Sequence, residues 1–400
     1  MQSRWTFVTR TVANISELMQ PLEDAIRQKF LPSLLGREVN DLERELFTLP
    51  ARHGGLGIVN PCTQSDQHFS NSEELTLPLV AMILAQERIL NAKELSNDQS
   101  DIRARQRTKA EEKHRQTLEN IKEQAPLALK TAIEQACEKG ASSWVTARPL
   151  RIYPWTVLNK GQFRDAIYLR YGWEPRLLPE KCGCGATFNV AHALTCMTGG
   201  YRGPMHNDVQ YVFYDVLKQA GYKDVAWEPE LQTLEGETFK YKSANTTEEA
   251  RSDVSALGFY SRLRRAFFDI TAFSPFAPSN KGKSLKSCFE MHEKRKRREY
   301  SERIRNVEHG DFAPLVVSTT GGIGPHGSEV IKRLSIALAE KRNEHVSVVS
   351  GWLRCRLSFA ILRSAIVCLR GSRPLRLRGK SSANEDIGLA VSEINIEGRS

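Results

Sequence analysis

Three of the eight cysteines and one histidine lie close together with the spacing of a metal site. They form the pattern Cys182-Gly-Cys184-x7-His192-x3-Cys196. Thiolate and imidazole groups bind zinc, and four of them around one ion make a closed, structural site. His192 and Cys196 are one helical turn apart, so both can face the ion. The spacing predicts a structural Zn²⁺ site; the alternative is four unrelated buried residues.

Carboxylates on neighbouring predicted strands form a second group, namely Glu228, Asp253 and Asp269. Two adjacent strands that each carry an aspartate can hold Mg²⁺ between them. A nearby lysine, Lys294 or Lys296, can orient or deprotonate water and stabilise the pentavalent phosphate. Together these groups are the minimum for metal-assisted phosphodiester hydrolysis.

Simple ion pairing is the alternative for these carboxylates. Asp269 lies in an apolar stretch, so we expect it to be at the end of its strand, to be paired, or to bind a cation. Arg251, Arg264 and Arg265 are close enough in sequence to be such partners.

A glycine motif offers a third kind of chemistry. Gly322-Ile-Gly324-Pro-His-Gly327 matches the dinucleotide-binding pattern and falls between a predicted strand and helix. Glu344, twenty residues after Gly324, precedes an apolar stretch instead of ending a second strand, as the dinucleotide fold requires. Pro325 also removes an N–H from the phosphate turn. We therefore interpret this segment as a tight strand-to-helix turn.

Positive charge is concentrated in two stretches of a chain whose net charge is +10. Residues 281–305 carry a net charge of +6, and residues 351–380 a net charge of +8. Two such stretches around a carboxylate cluster favour a phosphate backbone as partner. The expected partner is DNA, through the resemblance given below, with RNA as the alternative. An aliphatic face on 351–380 leaves membrane-surface binding as another interpretation, although no membrane partner is expected.

The apolar pattern predicts the elements that must position these residues. The segment 49–58 (LPARHGGLGI) contains three glycines in four positions, which indicates a tight turn after the first helices. The order helix, three strands, helix, strand, helix then indicates an α/β layer arrangement. The predicted helices span 1–50, 75–140, 165–171, 206–220, 288–306, 328–341 and 345–370, and the predicted strands 225–231, 251–260, 265–273 and 312–318.

Targeting signals and a disulfide framework are not expected. The first twenty residues lack the apolar core of a signal peptide, and the most apolar stretch, 352–369, carries three arginines. The other five cysteines are scattered, which favours a reducing interior.

The order of the motifs resembles the C-terminal part of non-LTR retrotransposon polyproteins with a restriction-like endonuclease. The resemblance covers roughly residues 40–345, and the Cys–His cluster and the Asp253-x15-Asp269 spacing are its more specific parts. The other matching segments are 49–58, 138–144 (EKGASSW), 163–172 (FRDAIYLRYG), Gly199-Gly200, His206-Asn207 and a lysine-rich helix with Tyr300.

The resemblance implies roles for individual residues. The Cys–His cluster maps to a CCHC zinc knuckle, and Asp253 and Asp269 map to the metal-binding aspartates of a PD-(D/E)xK nuclease. Glu228 is a weaker match to a further acidic residue, and the catalytic lysine falls on Lys294 or Lys296. The residues implied in nucleic-acid binding are His206, Asn207, Arg295, Arg297, Arg298 and Tyr300.

The sequence also departs from the family pattern. Met205 replaces the arginine before His206, Ser252 replaces the proline before Asp253, and Thr271 replaces the usual lysine. The segment 49–58 resembles the end of a polymerase thumb, yet the chain has no Tyr-x-Asp-Asp motif. We therefore expect a truncated element or a domesticated fragment that cannot reverse transcribe by itself.

The expected fold class is α+β, with a helical N-terminal region, a small zinc knuckle and an α/β restriction-endonuclease-like domain. The expected function is a Mg²⁺-dependent DNA endonuclease that nicks target DNA for integration, and the alternative is an inactive nucleic-acid-binding remnant. The basic stretch 294–298 favours a nuclear location, or simply contacts DNA. The expected segments are 1–60 (thumb remnant), 61–150 (charged helical linker), 151–205 (knuckle region), 206–345 (nuclease) and 346–400 (basic helix and tail).

Overall fold

The chain combines α-helices with one four-stranded sheet, which confirms the expected α+β class. It divides into two compact units, residues 1–134 (unit 1) and 135–400 (unit 2), a coarser division than the five expected segments. The polar tail, residues 372–380 of the basic stretch 351–380 and the Gly199-Gly200 pair fall outside the described residues. The computed structural model describes residues 2–86, 92–150, 152–196, 202–280 and 282–371.

Unit 1 is built from helices and tight helical turns. Its turns are 3-10 segments at Glu17–Met19 and Ala51–His53 and a π segment at Ile26–Phe30. Its helices are α1 (Gln2–Thr11), α2 (Gln20–Ala25), α3 (Leu31–Leu35), α4 (Asp41–Thr48), α5 (Pro61–Leu84), α6 (Ala92–Gln124) and the start of α7 (Leu127–Cys137).

The glycine-rich segment after α4 forms the tight turn that the sequence predicts. A Cβ atom on Gly55 would lie 1.9 Å from the carbonyl oxygen of Leu49, so only glycine fits there. The N–H of Gly57 donates to the same oxygen at 2.8 Å. Buried Arg44 binds Glu23 through two 2.6 Å contacts and donates to the Ile58 carbonyl. The turn is therefore held against α2 and α4.

Unit 2 contains the sheet and an apolar core that packs on it. Its elements follow the order expected from the sequence. Within the described residues, no helix is both long enough and apolar enough to span a membrane. The helices are α8 (Ser143–Thr146), α9 (Lys160–Tyr171), α10 (Val190–Ala193), α11 (Arg202–Ala220), α12 (Leu285–Asn306), α13 (Pro325–Arg342) and α14 (Val346–Arg370), with 3-10 turns at Pro154–Thr156 and Pro278–Asn280. The strands are β1 (Lys223–Trp227), β2 (Val254–Leu257), β3 (Arg265–Phe273) and β4 (Asp311–Ser318).

The sheet is mixed, and its strands lie in the order β1-β2-β3-β4. The first two pairings are antiparallel, whereas β3 and β4 are parallel. Parallel neighbours need a crossover connection, and α12 supplies it. The crossover carries the basic helix α12 over the sheet, next to β3.

Helices cover both faces of the sheet. Phe268 and Ile270 of β3 belong to the main core with α11, α13 and α14. Phe267 and Phe273 face the other way and pack with residues of α12. Because side chains alternate along a strand, Asp269 faces α12. Of the alternatives for Asp269, a position at the end of the strand is wrong, because it lies at the middle of β3. Pairing is the alternative that the structure supports, and Lys296 of α12 is the partner.

A fully buried arginine attaches α12 to the long connection between β1 and β2. Arg303 has no exposed surface. Its guanidinium donates to the carbonyl oxygens of Asn245 and Gln232 at 2.8 Å and of Thr247 at 3.0 Å. The connection leads directly into Asp253, so Arg303 helps to fix the chain that carries this carboxylate.

Replacing Arg303 with alanine is expected to lower the free energy of unfolding by about 3 kcal/mol, because a fully buried side chain and its three hydrogen bonds to backbone carbonyl groups are lost. Chemical denaturation measures this difference. Arg305→Ala is the control, since Arg305 is exposed on the same helix and should change stability by less than about 0.5 kcal/mol. Equal stabilities of the two variants would contradict the anchoring role of Arg303.

Candidate functional site

Asp253 and Asp269 open into one cleft of about 300 Å³ above the sheet. Asp253 directly precedes β2, and its N–H donates to the carbonyl oxygen of Phe268 at 3.1 Å. The pairing of β2 with β3 therefore brings both aspartates to the same place. The cleft is lined by His206, Asp253, Asp269, Ile270, Thr271, Ala272, Arg295, Lys296 and Tyr300.

Lys296 is the lysine of the cleft. Its Nζ lies 3.0 Å from Oδ2 and 3.2 Å from Oδ1 of Asp269, and 3.3 Å from Oε2 of Glu299. Lys294, the other lysine proposed from the sequence, is exposed and is not among the lining residues. Lys296 belongs to the buried stripe of α12, whereas Lys294 lies outside it. Sequence reasoning missed Glu299, although its i+3 spacing from Lys296 is a signal for an ion pair on a helix.

Asp253 is held in place by three neighbours. His206 Nε2 on α11 lies 3.1 Å from Oδ2 of Asp253, and the N–H of Ile270 donates to the same oxygen. Gln210 Nε2 donates to the backbone oxygen of Asp253 at 2.8 Å. Gln210 was missed from the sequence, although it follows His206 by one helical turn and so shares its face. Asn207 is exposed, with Oδ1 3.4 Å from His206 Nδ1.

Burial raises the pKa of Asp269 from its ordinary value to about 7, and the charge of Asp253 adds to this effect. Lys296 and His206 oppose the increase without cancelling it. A carboxylate that resists ionisation in a cleft beside a second carboxylate is typical of a functional site. The protonated and ionised forms of Asp269 are therefore close in free energy near neutral pH.

Lys296 and His206, two of the basic groups of the cleft, stay protonated more readily than usual. Burial by itself lowers the pKa of Lys296, but the charge and hydrogen bond of Asp269 outweigh it and raise that pKa. Burial likewise lowers the pKa of His206, and the hydrogen bond and charge of Asp253 raise it overall. Lys296 is thus a cation at neutral pH and suits charge stabilisation better than proton abstraction.

Simple ion pairing with the nearby arginines, the alternative from the sequence, is wrong. Arg251 pairs with Glu230, Arg264 with Asp311, and Arg265 with Asp224. These three pairs lie away from the cleft, since none of their residues is among its lining residues.

Glu228 is not brought to the cleft. It follows the end of β1, its side chain is exposed, and its N–H donates to the backbone oxygen of Asp253 at 2.9 Å. Its contact with the site is therefore made by the backbone, and the lining carboxylates are Asp253 and Asp269.

Three arginines of α12 differ in their position relative to the cleft: one lines it, and the other two do not. Arg295 and Tyr300 line it, and the Tyr300 ring stacks on Phe312 at 5.7 Å. Arg297 and Arg298 are exposed, and the Arg298 guanidinium lies 5.5 Å from the centre of the Tyr241 ring. The helix thus presents one basic edge to solvent beside the carboxylates.

The groups in the cleft fit a hard divalent cation such as Mg²⁺. Carboxylate oxygens of Asp253 and Asp269 are the ligands that Mg²⁺ prefers. Burial is the main cause of the raised pKa of Asp269, and the neighbouring charge of Asp253 adds to it. A cation bound between the two carboxylates would favour the ionised form of Asp269. Among the described residues, the buried hydroxyl of Thr271 has no hydrogen-bond partner, which leaves it available to water or a ligand.

The Cys–His cluster is assembled as the spacing predicts. The ligand atoms of Cys182, Cys184, His192 and Cys196 all lie within 4.8 Å of one another. The sulfurs of Cys182 and Cys196 are 3.8 Å apart, and the Cys184 sulfur is 3.4 Å from His192 Nε2. Ordinary zinc bond lengths in a tetrahedron require about 3.8 Å and about 3.5 Å for these two pairs. The four residues therefore fit a zinc ion.

The backbone around the cluster explains this arrangement. Gly185 has φ +89°, and its N–H donates to the carbonyl oxygen of Cys182 at 2.8 Å, so the chain turns back between the first two cysteines. Asn189 caps α10, with its side chain accepting from the N–H of His192 at 2.8 Å. The N–H of Cys196 donates to the carbonyl oxygen of His192 at 2.8 Å, and this turn beyond α10 brings both side chains to one side.

The glycine motif is a strand-to-helix turn, as expected. Glu293 of α12 accepts from the N–H of His326 at 3.0 Å, at the first turn of α13. A Cβ atom on Gly324 would lie 2.4 Å from the same carboxylate oxygen. A carboxylate thus occupies the helix N-terminus that a dinucleotide phosphate would need.

No protein-family model and no curated protein matches this sequence.

Proposed function

We propose that the chain is a Mg²⁺-dependent DNA endonuclease of retrotransposon origin. The observation that supports this proposal is the convergence of Asp253, Asp269 and Lys296 in one open cleft. Asp253 directly precedes β2, Asp269 belongs to β3 and Lys296 to the crossover helix α12, so their meeting depends on the fold and not on local sequence. Two carboxylates with a lysine cation suit hydrolysis of a phosphodiester.

Each residue of the cleft has its own role in the proposed reaction. Asp253 and Asp269 would bind the metal, while His206 and Gln210 hold Asp253 in position. Lys296 would stabilise the negative charge that develops on the phosphate oxygens. Arg295 and the exposed basic edge of α12 would bind the DNA backbone.

When bound at the two aspartates, Mg²⁺ would polarise the phosphate and lower the pKa of an attacking water. Hydrolysis forms a bond from the water oxygen to phosphorus and breaks one backbone P–O bond, whose leaving oxygen takes a proton. A nick of this kind suits integration at a target site.

A CCHC zinc knuckle at Cys182, Cys184, His192 and Cys196 is the second part of the proposal, and its geometry supports it. Together with the basic helix it would bind nucleic acid, DNA first and RNA as the alternative, in the nucleus. The segment 206–345 would then be the restriction-like endonuclease domain, and 49–58 a remnant of a polymerase thumb.

An inactive nucleic-acid-binding remnant is the second candidate. Thr271 stands where the family pattern has lysine, and Lys296 pairs directly with Asp269, one of the two carboxylates the metal needs. This function would need the zinc site and the basic surface, but not Mg²⁺.

The test is nicking of supercoiled plasmid by the purified full chain, with Mg²⁺ or with EDTA. We expect nicking only with Mg²⁺, and a loss of about a hundredfold or more in the Lys296→Met variant, because the cation at the phosphate is removed. Lys294→Met is the matched control, since Lys294 is exposed one half-turn away, and it should nick at nearly the wild-type rate.

Equal activity of the two lysine variants would contradict the role of Lys296. Absence of nicking by the wild type, with salt-sensitive DNA binding retained, would support the inactive remnant.

A further inference from the structure

A second group of metal-binding side chains lies in unit 1, far in sequence from both sites described above. The ligand atoms of His53, Glu111 and His114 all lie within 4.8 Å of one another. His53 belongs to the tight turn after α4, and the other two lie three residues apart on α6. A carboxylate and a histidine at i and i+3 face the same side of a helix, which is a usual way to present two ligands.

The carboxylate of Glu111 is already oriented for such a role. Its Oε1 lies 2.7 Å from Nε2 of His53, while Arg52 Nη2 donates to its Oε2 at 2.5 Å. The two oxygens are therefore used separately, so Oε1 can bind a metal while Arg52 keeps Oε2. A partner that holds a ligating carboxylate in this way is a common feature of metal sites.

The third side chain has a free ring nitrogen. Nδ1 of His114 is buried and has no hydrogen-bond partner among the residues described. The rings of His53 and His114 lie 5.8 Å apart between centroids and are tilted by 45°. A buried nitrogen without a partner is costly for an ordinary surface histidine, and a metal bond would remove that cost.

We propose that His53, Glu111 and His114 form a second zinc site, with one position left for water. Two histidines and one glutamate suit Zn²⁺, and three protein ligands with an open position differ from the closed Cys–His cluster. The ion would bind the tight turn to α6. This inference does not depend on the endonuclease proposal.

Binding requires only a small movement. A tetrahedral zinc ion needs about 3.4 Å between a histidine nitrogen and a carboxylate oxygen, against the 2.7 Å of the present hydrogen bond between His53 and Glu111. The side chain of Glu111 is about half exposed, so it can move by this amount without disturbing a packed core.

The test measures how many equivalents of Zn²⁺ the full chain binds. Metal-free protein, prepared by exhaustive dialysis, is titrated with Zn²⁺ in competition with a coloured chelator. We expect the wild type to bind one more equivalent of Zn²⁺ than His114→Ala, whose alanine is favourable in a helix. The control is Glu112→Gln, an exposed neighbour on α6 that pairs with Arg115. This variant should keep the wild-type number.

Co²⁺ substitution separates the two sites. Thiolate-to-cobalt charge transfer belongs to the Cys–His cluster, whereas the proposed site adds visible d–d absorption without it. His114→Ala should lose the second contribution and keep the first. Equal zinc numbers in wild type and His114→Ala, or an equal loss in Glu112→Gln, would overturn the proposal. If the cysteines bind no zinc, the wild type should bind one equivalent of Zn²⁺ and His114→Ala none, so the difference of one equivalent still tests the proposal.

Discussion

Replacing Asp269 with alanine is expected to lower Mg²⁺-dependent nicking of supercoiled DNA by about a thousandfold or more, with DNA binding nearly unchanged. Asp269 is 3% exposed and lies between Asp253 and Lys296, so its loss would remove a metal ligand and the partner of the lysine. Plasmid nicking and a binding titration at fixed salt measure the two effects. Glu228→Ala is the control, because Glu228 is exposed outside the cleft, and it should remain active.

The same carboxylate predicts a pH dependence. The pKa of Asp269 is about 7 in the folded chain, against the 3.8 of an ordinary aspartate. The folded state therefore binds more protons between these values, and the stability of the metal-free wild type falls as pH rises from about 4 to about 7. Asp269→Asn has no proton to lose, so its stability relative to wild type should increase over that window by on the order of 2 to 4 kcal/mol.

Metal binding should show the matching dependence. The proton must leave Asp269 before its carboxylate binds Mg²⁺, so the affinity for Mg²⁺ should increase as pH rises through about 7. Thermal unfolding with and without Mg²⁺ at several pH values measures both effects. A constant stability difference between Asp269→Asn and wild type across the window would contradict the raised pKa, and nicking that survives in Asp269→Ala would contradict the proposed site.

Removing zinc from the Cys–His cluster is expected to have the largest effect on stability. The segment has one isolated β-bridge, Lys181 to Thr187, and a four-residue helix, so its own secondary structure is small. A zinc ion would join the two cysteines of its first turn to His192 and Cys196. Structural zinc contributes on the order of 10 kcal/mol in small zinc modules. We expect Cys196→Ser to lose one bound zinc and to lower the melting temperature by about 10 °C or more.

Metal analysis and thermal unfolding of the full chain measure these losses. Cys62→Ser is the matched control, because Cys62 is half-buried in unit 1 and lies outside the cluster. Chelation should also make the buried thiols of Cys182 and Cys196 reactive. Equal zinc content in the two variants would show that the four residues are not ligands.

The sequence by itself determined the local parts of this protein. The Cys–His cluster was predicted in full, because its spacing and glycines act within fifteen residues. The apolar strand β3, the basic helix α12 and the tight turn at 49–58 were also predicted, since apolar periodicity and glycine positions specify each of them locally.

The tertiary structure decided which distant groups meet. The choice of Lys296 over Lys294 depends on the rotation of α12 above β3, which follows from packing. The position of Asp269 at the middle of its strand, and its pairing with a helix residue 27 positions later, likewise depend on the parallel crossover.

The ion-pair and hydrogen-bond partners that lie far apart in the sequence could not be predicted from it. The arginines near Asp253 and Asp269 pair with other carboxylates, and Glu293 caps a helix that begins 32 residues later. Charge alone does not select among many acids and bases of similar sequence distance, because ion pairs form wherever packing brings opposite charges together. The sequence thus specified the chemical groups and the elements, and the stacking of α12 on the mixed sheet selected which groups share one cleft.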